Sequence, residues 1–174
     1  DPNRTEVRLD EMAASLDDGY AMRETVGLVV DQGSFLELSP SFASGLIAGL
    51  ARLGGTTVGV LALDETRLTS AMARKAAAMA GLFERLNLPL ITFVDAEGYA
   101  ISLAEEKQGL VQSGAALMQT MLRLTIPRIA VLVGKAIGTA YLTFGSKSCG
   151  TSLVYAWPTA AIAVVTPDTA AHII

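Results

Sequence analysis

The apolar run Ile129-Ala130-Val131-Leu132-Val133 leads into Gly134-Lys135-Ala136-Ile137-Gly138-Thr139-Ala140-Tyr141-Leu142-Thr143-Phe144-Gly145-Ser146-Lys147, and this stretch decides how the chain folds. Apolar residues give way to small ones where a helix should start. The segment therefore reads as a buried strand over 128–133 and a short helix over 140–146, joined at Gly138-Thr139-Ala140. A strand that turns into a helix in this way points several backbone N–H groups at one spot. The unpaired first-turn amides and the helix dipole give that spot partial positive charge. It suits a developing oxyanion and asks for no catalytic side chain. Small residues serve it because only a nearly bare backbone lets a ligand oxygen come within hydrogen-bonding distance. The same pattern also serves as a packing device, so the stretch alone leaves both uses open.

Working outward, strands and helices alternate. Leu46–Leu53 and Thr57–Leu63 are apolar runs joined by Gly54-Gly55, a hairpin signal. Leu68, Met72, Ala76, Met79, Phe83 and Leu86 keep a three-to-four residue rhythm, which predicts an amphipathic helix over 68–86. Leu90–Val94 reads as a buried strand. Ser102-Leu103-Ala104-Glu105 is a capping box that opens a helix reaching about Leu124, with Val111, Ala115, Met118 and Leu122 inward. Further strands are predicted at Phe35–Leu38, Leu153–Tyr155 and Ala160–Val165, and a helix over part of Tyr20–Val30. Thr166-Pro167-Asp168 starts a last helix, read as truncated. Residues 1–19 read as a polar extension and 20–174 as a single α/β domain built from β-β-α units.

Composition narrows the function classes. Of 174 residues, 51% are hydrophobic and 17% charged, which excludes a disordered chain and points to apolar surface covered by another chain. A net charge of −4 leaves no electrostatic footprint for nucleic acid or an anionic membrane. The lone cysteine, Cys149, can form neither an internal disulfide nor a metal cluster. No long uncharged apolar stretch spans a bilayer, and charges interrupt the first dozen residues, so a soluble cytoplasmic protein is expected. No phosphate-binding loop, dinucleotide fingerprint or metal-ligand spacing occurs.

Several segments, in order, resemble the carboxyltransferase component, the beta-type subunit, of biotin-dependent acyl-CoA carboxylases, in its C-terminal half. They are Asp31-Gln32-Gly33-Ser34-Phe35-Leu36-Glu37-Leu38-Ser39-Pro40, the hairpin Gly49–Val60, Lys75-Ala76-Ala77, Leu88–Asp95, Gly134–Lys147 and Ala156-Trp157-Pro158-Thr159-Ala160-Ala161-Ile162-Ala163-Val164. The resemblance implies the crotonase-like spiral of β-β-α units. It also implies transfer of carboxylate from carboxybiotin, delivered by a biotin carboxyl carrier protein, to an acyl-CoA held by another lobe or subunit, within a homo- or hetero-oligomer. The family's Gly-Gly-Ala-Tyr turn, whose amides stabilise the biotin urea oxygen, falls here on Gly138, Thr139, Ala140 and Tyr141. Leu142, near the acyl group in family members, and Gly98 in the loop after Val94-Asp95 join the substrate-binding set, with a further contribution from Asp64–Leu68.

The sequence departs from that pattern in places. Thr139 replaces the second Gly of the turn. The family's Val-Asp-x-Pro-Gly-Phe loop becomes Val94-Asp95-Ala96-Glu97-Gly98-Tyr99, without the Pro and with the added charge of Glu97. The Leu-Asp ahead of the first long helix becomes Ser70-Ala71, and the Met-Gly-x-x-Gly-Ala pattern becomes Val165-Thr166-Pro167-Asp168-Thr169-Ala170. Two other readings stay open: decarboxylation of a malonyl-type thioester on the same fold, and a non-catalytic lobe acting in assembly. Tyr141, Phe144 and Trp157 line a pocket or pack in the core. Asp95 and Glu97 read as a solvated loop end, Arg74 and Lys75 as facing water, and Lys135 and Lys147 as solvated or touching CoA phosphates. His172 reads as a surface residue and Cys149 as structural.

Overall fold

The structure is a computed structural model and describes residues 5–14 and 21–173. Along the first half of the chain lie α1 (Val7–Ala14), α2 (Met22–Val29), β1 (Leu36–Glu37), β2 (Leu46–Leu53), β3 (Thr56–Leu63), β4 (Arg67–Leu68) and α3 (Ser70–Arg85). Then follow β5 (Leu90–Ala96), β6 (Gly98–Tyr99), α4 (Leu103–Lys107), α5 (Leu110–Arg123), β7 (Arg128–Ile137), α6 (Gly138–Gly145), β8 (Leu153–Ala156), β9 (Ala161–Ala163) and α7 (Pro167–Ile173). The remaining residues of the polar N-terminal segment, together with Tyr20 and Ile174, lie outside the described residues.

Among the described residues, seven strands form one sheet in the order β1-β2-β3-β5-β7-β8, with β9 also on β7. The β2–β3 pair is antiparallel. Its two-residue turn puts Gly54 at φ +57° and Gly55 at φ +82°, the positive angles that a tight hairpin turn needs. The Asp31 carboxylate accepts from both turn amides, at 2.9 Å and 2.7 Å. From β3 onward every pairing in this sheet is parallel. A second, two-stranded sheet pairs β4 with β6, Arg67 opposite Gly98 and Leu68 opposite Tyr99.

Two apolar layers sandwich the large sheet. Leu61, Leu63, Leu90, Val94 and Leu132 face α3, α5 and α6, where they meet Met72, Ala76, Phe83, Leu117, Met121 and Phe144. Val60, Ala62, Ile91, Phe93 and Val133 face the other way, onto Met22, Val26 and Val30. Strand alternation produces this division, since successive residues point to opposite faces.

Several expectations need correction. The capping box does not open one long helix. Ser102 accepts the Glu105 amide as predicted, but α4 stops at Lys107, and Gly109 at φ +82° starts α5 afresh. Glu105 does not reach back to Ser102; its carboxylate takes the Ser70 amide at 2.6 Å and so caps α3 from a neighbouring helix. On α5 the buried face is Leu110, Ser113, Gly114, Leu117 and Met121. Of the residues predicted inward, Val111 is 74% exposed and Leu122 54%, while Met118 is half-buried.

Lys75 does not face water. It is buried, and its ammonium donates to the Leu46 carbonyl at 2.7 Å and the Ala43 carbonyl at 3.4 Å, while burial pushes its pKa down. Arg74 is exposed as expected, although its guanidinium donates to the Gln108 carbonyl at 3.1 Å. Residues Val7–Ala14, read from sequence only as polar, form a helix tied to α2 by Arg8 and Glu24 at 2.5 Å.

Candidate functional site

β7 runs four residues further than its apolar run predicts, to Ile137, because β9 pairs alongside Lys135, Ala136 and Ile137. α6 starts at the next residue. Gly138 takes φ +66°, a backbone shape that side-chain-bearing residues rarely adopt, which explains a glycine at this corner. Ile137 before it is extended, and no side chain caps the helix start. The first amides of an α-helix have no carbonyl four residues back, and in α6 these are the amides at the turn read from the sequence.

The opposite end of α6 is held firmly. Thr92, buried on β5, donates its hydroxyl to the Phe144 carbonyl at 2.8 Å. Thr143 donates to the Thr139 carbonyl at 2.8 Å, one turn back along the helix.

Two apolar cavities flank the turn. One, of about 290 Å³, is lined by Gly138, Thr139, Tyr141 and Leu142 together with Ile162, Ala163 and Val164 of β9 and the residue after it. The other, of about 320 Å³, lies between α5 and β6 and is lined by Tyr99, Ile101, Leu110, Val111, Gly114, Ala115, Met118 and Thr139. The structure thus brings Gly138, Thr139, Tyr141 and Leu142 together. Ala140 is fully buried, so only its backbone can serve the turn.

Gly98 lines neither cavity. It sits in β6 at φ +127°, opposite Arg67 of the predicted 64–68 loop, and its neighbour Tyr99 reaches the second cavity. Gly114 makes room for that tyrosine, since a β-carbon there would stand 3.0 Å from the ring. Burial raises the Tyr99 hydroxyl's pKa, partly offset by its hydrogen bond with Thr143.

Asp95 and Glu97 are not a solvated loop end. Two apart on an extended chain, they fall on one side, and both engage Lys135. Asp95 accepts the Lys135 amide at 2.8 Å, while Glu97 pairs with the Lys135 ammonium and with Arg67 at 3.6 Å. The Lys135 bond holds the Glu97 pKa down, and the same bond raises that of Lys135. Lys135 is therefore committed to this cluster, whereas Lys147 is exposed in the short 3-10 turn Lys147–Cys149.

Phe144 is buried in the core with Tyr141 packed partly against the same layer, whereas Trp157 packs against the layer on the opposite face of the sheet. Cys149 is half-buried, with its carbonyl accepting from the buried Arg128 guanidinium, and His172 is exposed.

Local reading missed the walls: Tyr99, Ile101, Val111 and Met118 on one side, Ile162 and Val164 on the other. The alternating apolar residues of 160–165 carried a signal for the second group; nothing local marked the first as site residues. Among the described residues no cluster of His, Cys, Asp and Glu could hold a metal ion. No helix there is long and apolar enough to cross a membrane. The cavity lining offers two hydroxyls, those of Thr139 and Tyr141, beside the α6 amides and no carboxylate or imidazole. That set can stabilise negative charge on an oxygen without a charged side chain.

Residues 1–174 match the family described as the carboxyl transferase domain. A putative propionyl-CoA carboxylase beta chain of Bacillus subtilis (strain 168) is 35% identical over 159 residues, 89% of this chain and 31% of that protein. The methylmalonyl-CoA decarboxylase subunit alpha of Veillonella parvula is 32% identical over 179 residues, 100% of this chain and 35% of that one. A crystal structure of transcarboxylase 12S, a hexamer with methylmalonyl-coenzyme A and methylmalonic acid bound, matches with a TM-score of 0.90 at 30% identity. The match covers 97% of this chain and 34% of that one. The chain therefore spans about a third of the length of the relatives it matches.

Proposed function

The chain belongs to the carboxyl transferase domain family, and we propose that it is a carboxyltransferase lobe moving carboxylate between biotin and an acyl-CoA. Its fold is the α/β crotonase-like spiral shared with transcarboxylase 12S. The observation that carries the proposal is the β7–α6 corner: a glycine at φ +66° at the start of a helix whose first residues line an apolar cavity.

A cavity of this size and lining, with donors at one end, fits a compact bicyclic ring that presents a urea oxygen. Biotin on its carrier protein, when bound, supplies CO2 from a carboxylated ring nitrogen and then the base that takes the acyl-CoA α-proton. The chain's own part is electrostatic. The amides at Thr139 and Ala140 donate to the urea oxygen, where negative charge grows as the nitrogen–carbon bond breaks. Tyr141, Leu142 and Ile162 give the ring an apolar wall, and a partner covering β9 would exclude water and strengthen those hydrogen bonds.

In this reading the acyl-CoA is held by another lobe or by a partner subunit. Exposed Tyr155, Ile162 and Val164 on and beside β8 and β9 support a covering partner, within a homo- or hetero-oligomer. A second reading is favoured by the decarboxylase relative: the same amides would hold the enolate left when a malonyl-type thioester loses CO2.

Calorimetric titration tests both. Free biotin binds the chain in the first reading, and Thr139→Pro weakens it roughly tenfold by removing one of the two donors. Proline is tolerated in the first turn of a helix, so this change removes the amide without breaking α6. Biotin bound equally well by a folded proline variant refutes the amide site. Release of CO2 from methylmalonyl-CoA without biotin favours the second reading, and binding of neither ligand leaves the non-catalytic lobe.

A further inference from the structure

Thr139 is the residue that lines both cavities beside the turn. On one side of it Tyr99, Val111 and Met118 bound about 320 Å³; on the other Tyr141, Leu142 and Ile162 bound about 290 Å³. Each volume sits at the low end of the range for small-molecule sites, about 300–1,000 Å³. Together they fall well inside it. The walls on both sides are almost wholly apolar, and Thr139 is the residue the two linings share.

Thr139 lies in the first turn of α6. Its carbonyl accepts from the Thr143 hydroxyl at 2.8 Å, which ties its backbone into the helix. The residues around it in the turn are not shared. Gly138 and Tyr141 open on the β9 side only, and a β-carbon at Gly138 would meet nothing nearer than the Val164 carbonyl at 3.8 Å. The bare backbone is therefore approachable from the β9 side.

We propose that Thr139 is a specificity-determining residue: its side chain divides one apolar cleft in two and confines a ligand headed by the α6 amides to the cavity between α6 and β9. The ligand's identity rests on the carboxyltransferase reading above; the division itself rests on the two cavities. It follows that the chain accepts compact heads and rejects those with a substituent that must cross to Met118. A smaller residue at position 139 joins the two spaces and admits them.

Methyl NMR separates the possibilities, with Leu142 reporting on the β9 side and Met118 on the α5 side while free biotin is titrated into the full chain. In the wild type the Leu142 methyls shift and the Met118 methyl stays still. In Thr139→Gly and Thr139→Ala both shift, the alanine variant guarding against the helix destabilisation that glycine brings. Thr139→Val, of the same bulk, keeps Met118 silent. The division is overturned if Met118 moves in the wild type, or if it stays silent in both the glycine and alanine variants. Neither reporter moving in any of these proteins overturns the carboxyltransferase reading of the site instead, an outcome distinct from the other two.

Discussion

Thr92→Val should loosen the helix that carries the candidate turn without changing its shape. Valine nearly matches threonine in outline but lacks the hydroxyl proton that reaches the Phe144 carbonyl at 2.8 Å. Phe144 is in the last turn of α6, where carbonyls have no partner further along the helix, and Thr92 is 1% exposed, so water cannot easily take over. Leaving a buried acceptor unsatisfied costs about 1–3 kcal/mol. For a chain of this length each kcal/mol moves the melting temperature by about 2–4 °C, so a loss near 2 kcal/mol lowers it by about 4–8 °C. Thermal unfolding reads that total, and hydrogen exchange shows where it falls. Exchange should speed up at Thr143–Gly145 before it does in α3 or α5. Thr92→Ser keeps the hydroxyl and loses only a methyl, so its α6 protection should stay intact. A valine variant that melts with the wild type, or that loses protection evenly across α3, α5 and α6, refutes the reasoning.

Two further outcomes follow from contacts elsewhere. Glu84 accepts from the Thr125 hydroxyl at 2.6 Å and from the Thr125 and Ile126 amides, and the hydroxyl bond is the main cause of its lowered pKa. A carboxylate depressed on folding stabilises above its ordinary pKa of 4.5, and that stabilisation is lost as pH falls through the lower folded value. Urea unfolding across that acid range should therefore show a shallower pH dependence in Glu84→Gln than in the wild type; identical slopes would remove Glu84 from the account.

A β-carbon at Gly59 would stand 2.5 Å from the ring of Phe83, which is fully buried and cannot yield. Gly59→Ala should cost about 1–3 kcal/mol, and Phe83→Leu should recover part of it. Strict additivity of the two changes in urea midpoint would mean the side chains do not meet.

Much of the architecture was legible because it rests on local chemistry. Gly54-Gly55 announces its hairpin since both positions need positive φ, and the rhythm Met72, Ala76, Phe83 names the face that α3 buries, although Leu68 ends up in β4 and Leu86 is exposed. The readings that missed depended on distant partners. α5 carries two apolar stripes at helical spacing. Contact with α3 selects Leu117 and Met121, and leaves Val111 and Met118 to line a cavity. Lys75 looked solvated because a lysine on an amphipathic helix usually is; only the fold places the Leu46 and Ala43 carbonyls within its reach. β7 outran its apolar run because β9, far along the chain, supplies the pairing for its last residues. The turn itself was visible in small residues alone, but its walls come from three separate elements that no single window of sequence contains.

The double use of one strand edge has a consequence for how the protein is made. β8 pairs with the first part of β7 and β9 with its last part, so β7 holds two successive strands end to end. A polypeptide leaving the ribosome assembles from its N-terminal side. The sheet from β1 to β5 can close early, while Gly138 receives its β9 neighbours only after residues 161–163 have emerged. A nascent chain stalled between β8 and β9 would thus own a nearly complete core and an unfinished corner. Completion of this corner therefore waits for residues 161–163, well after the strands behind it have emerged.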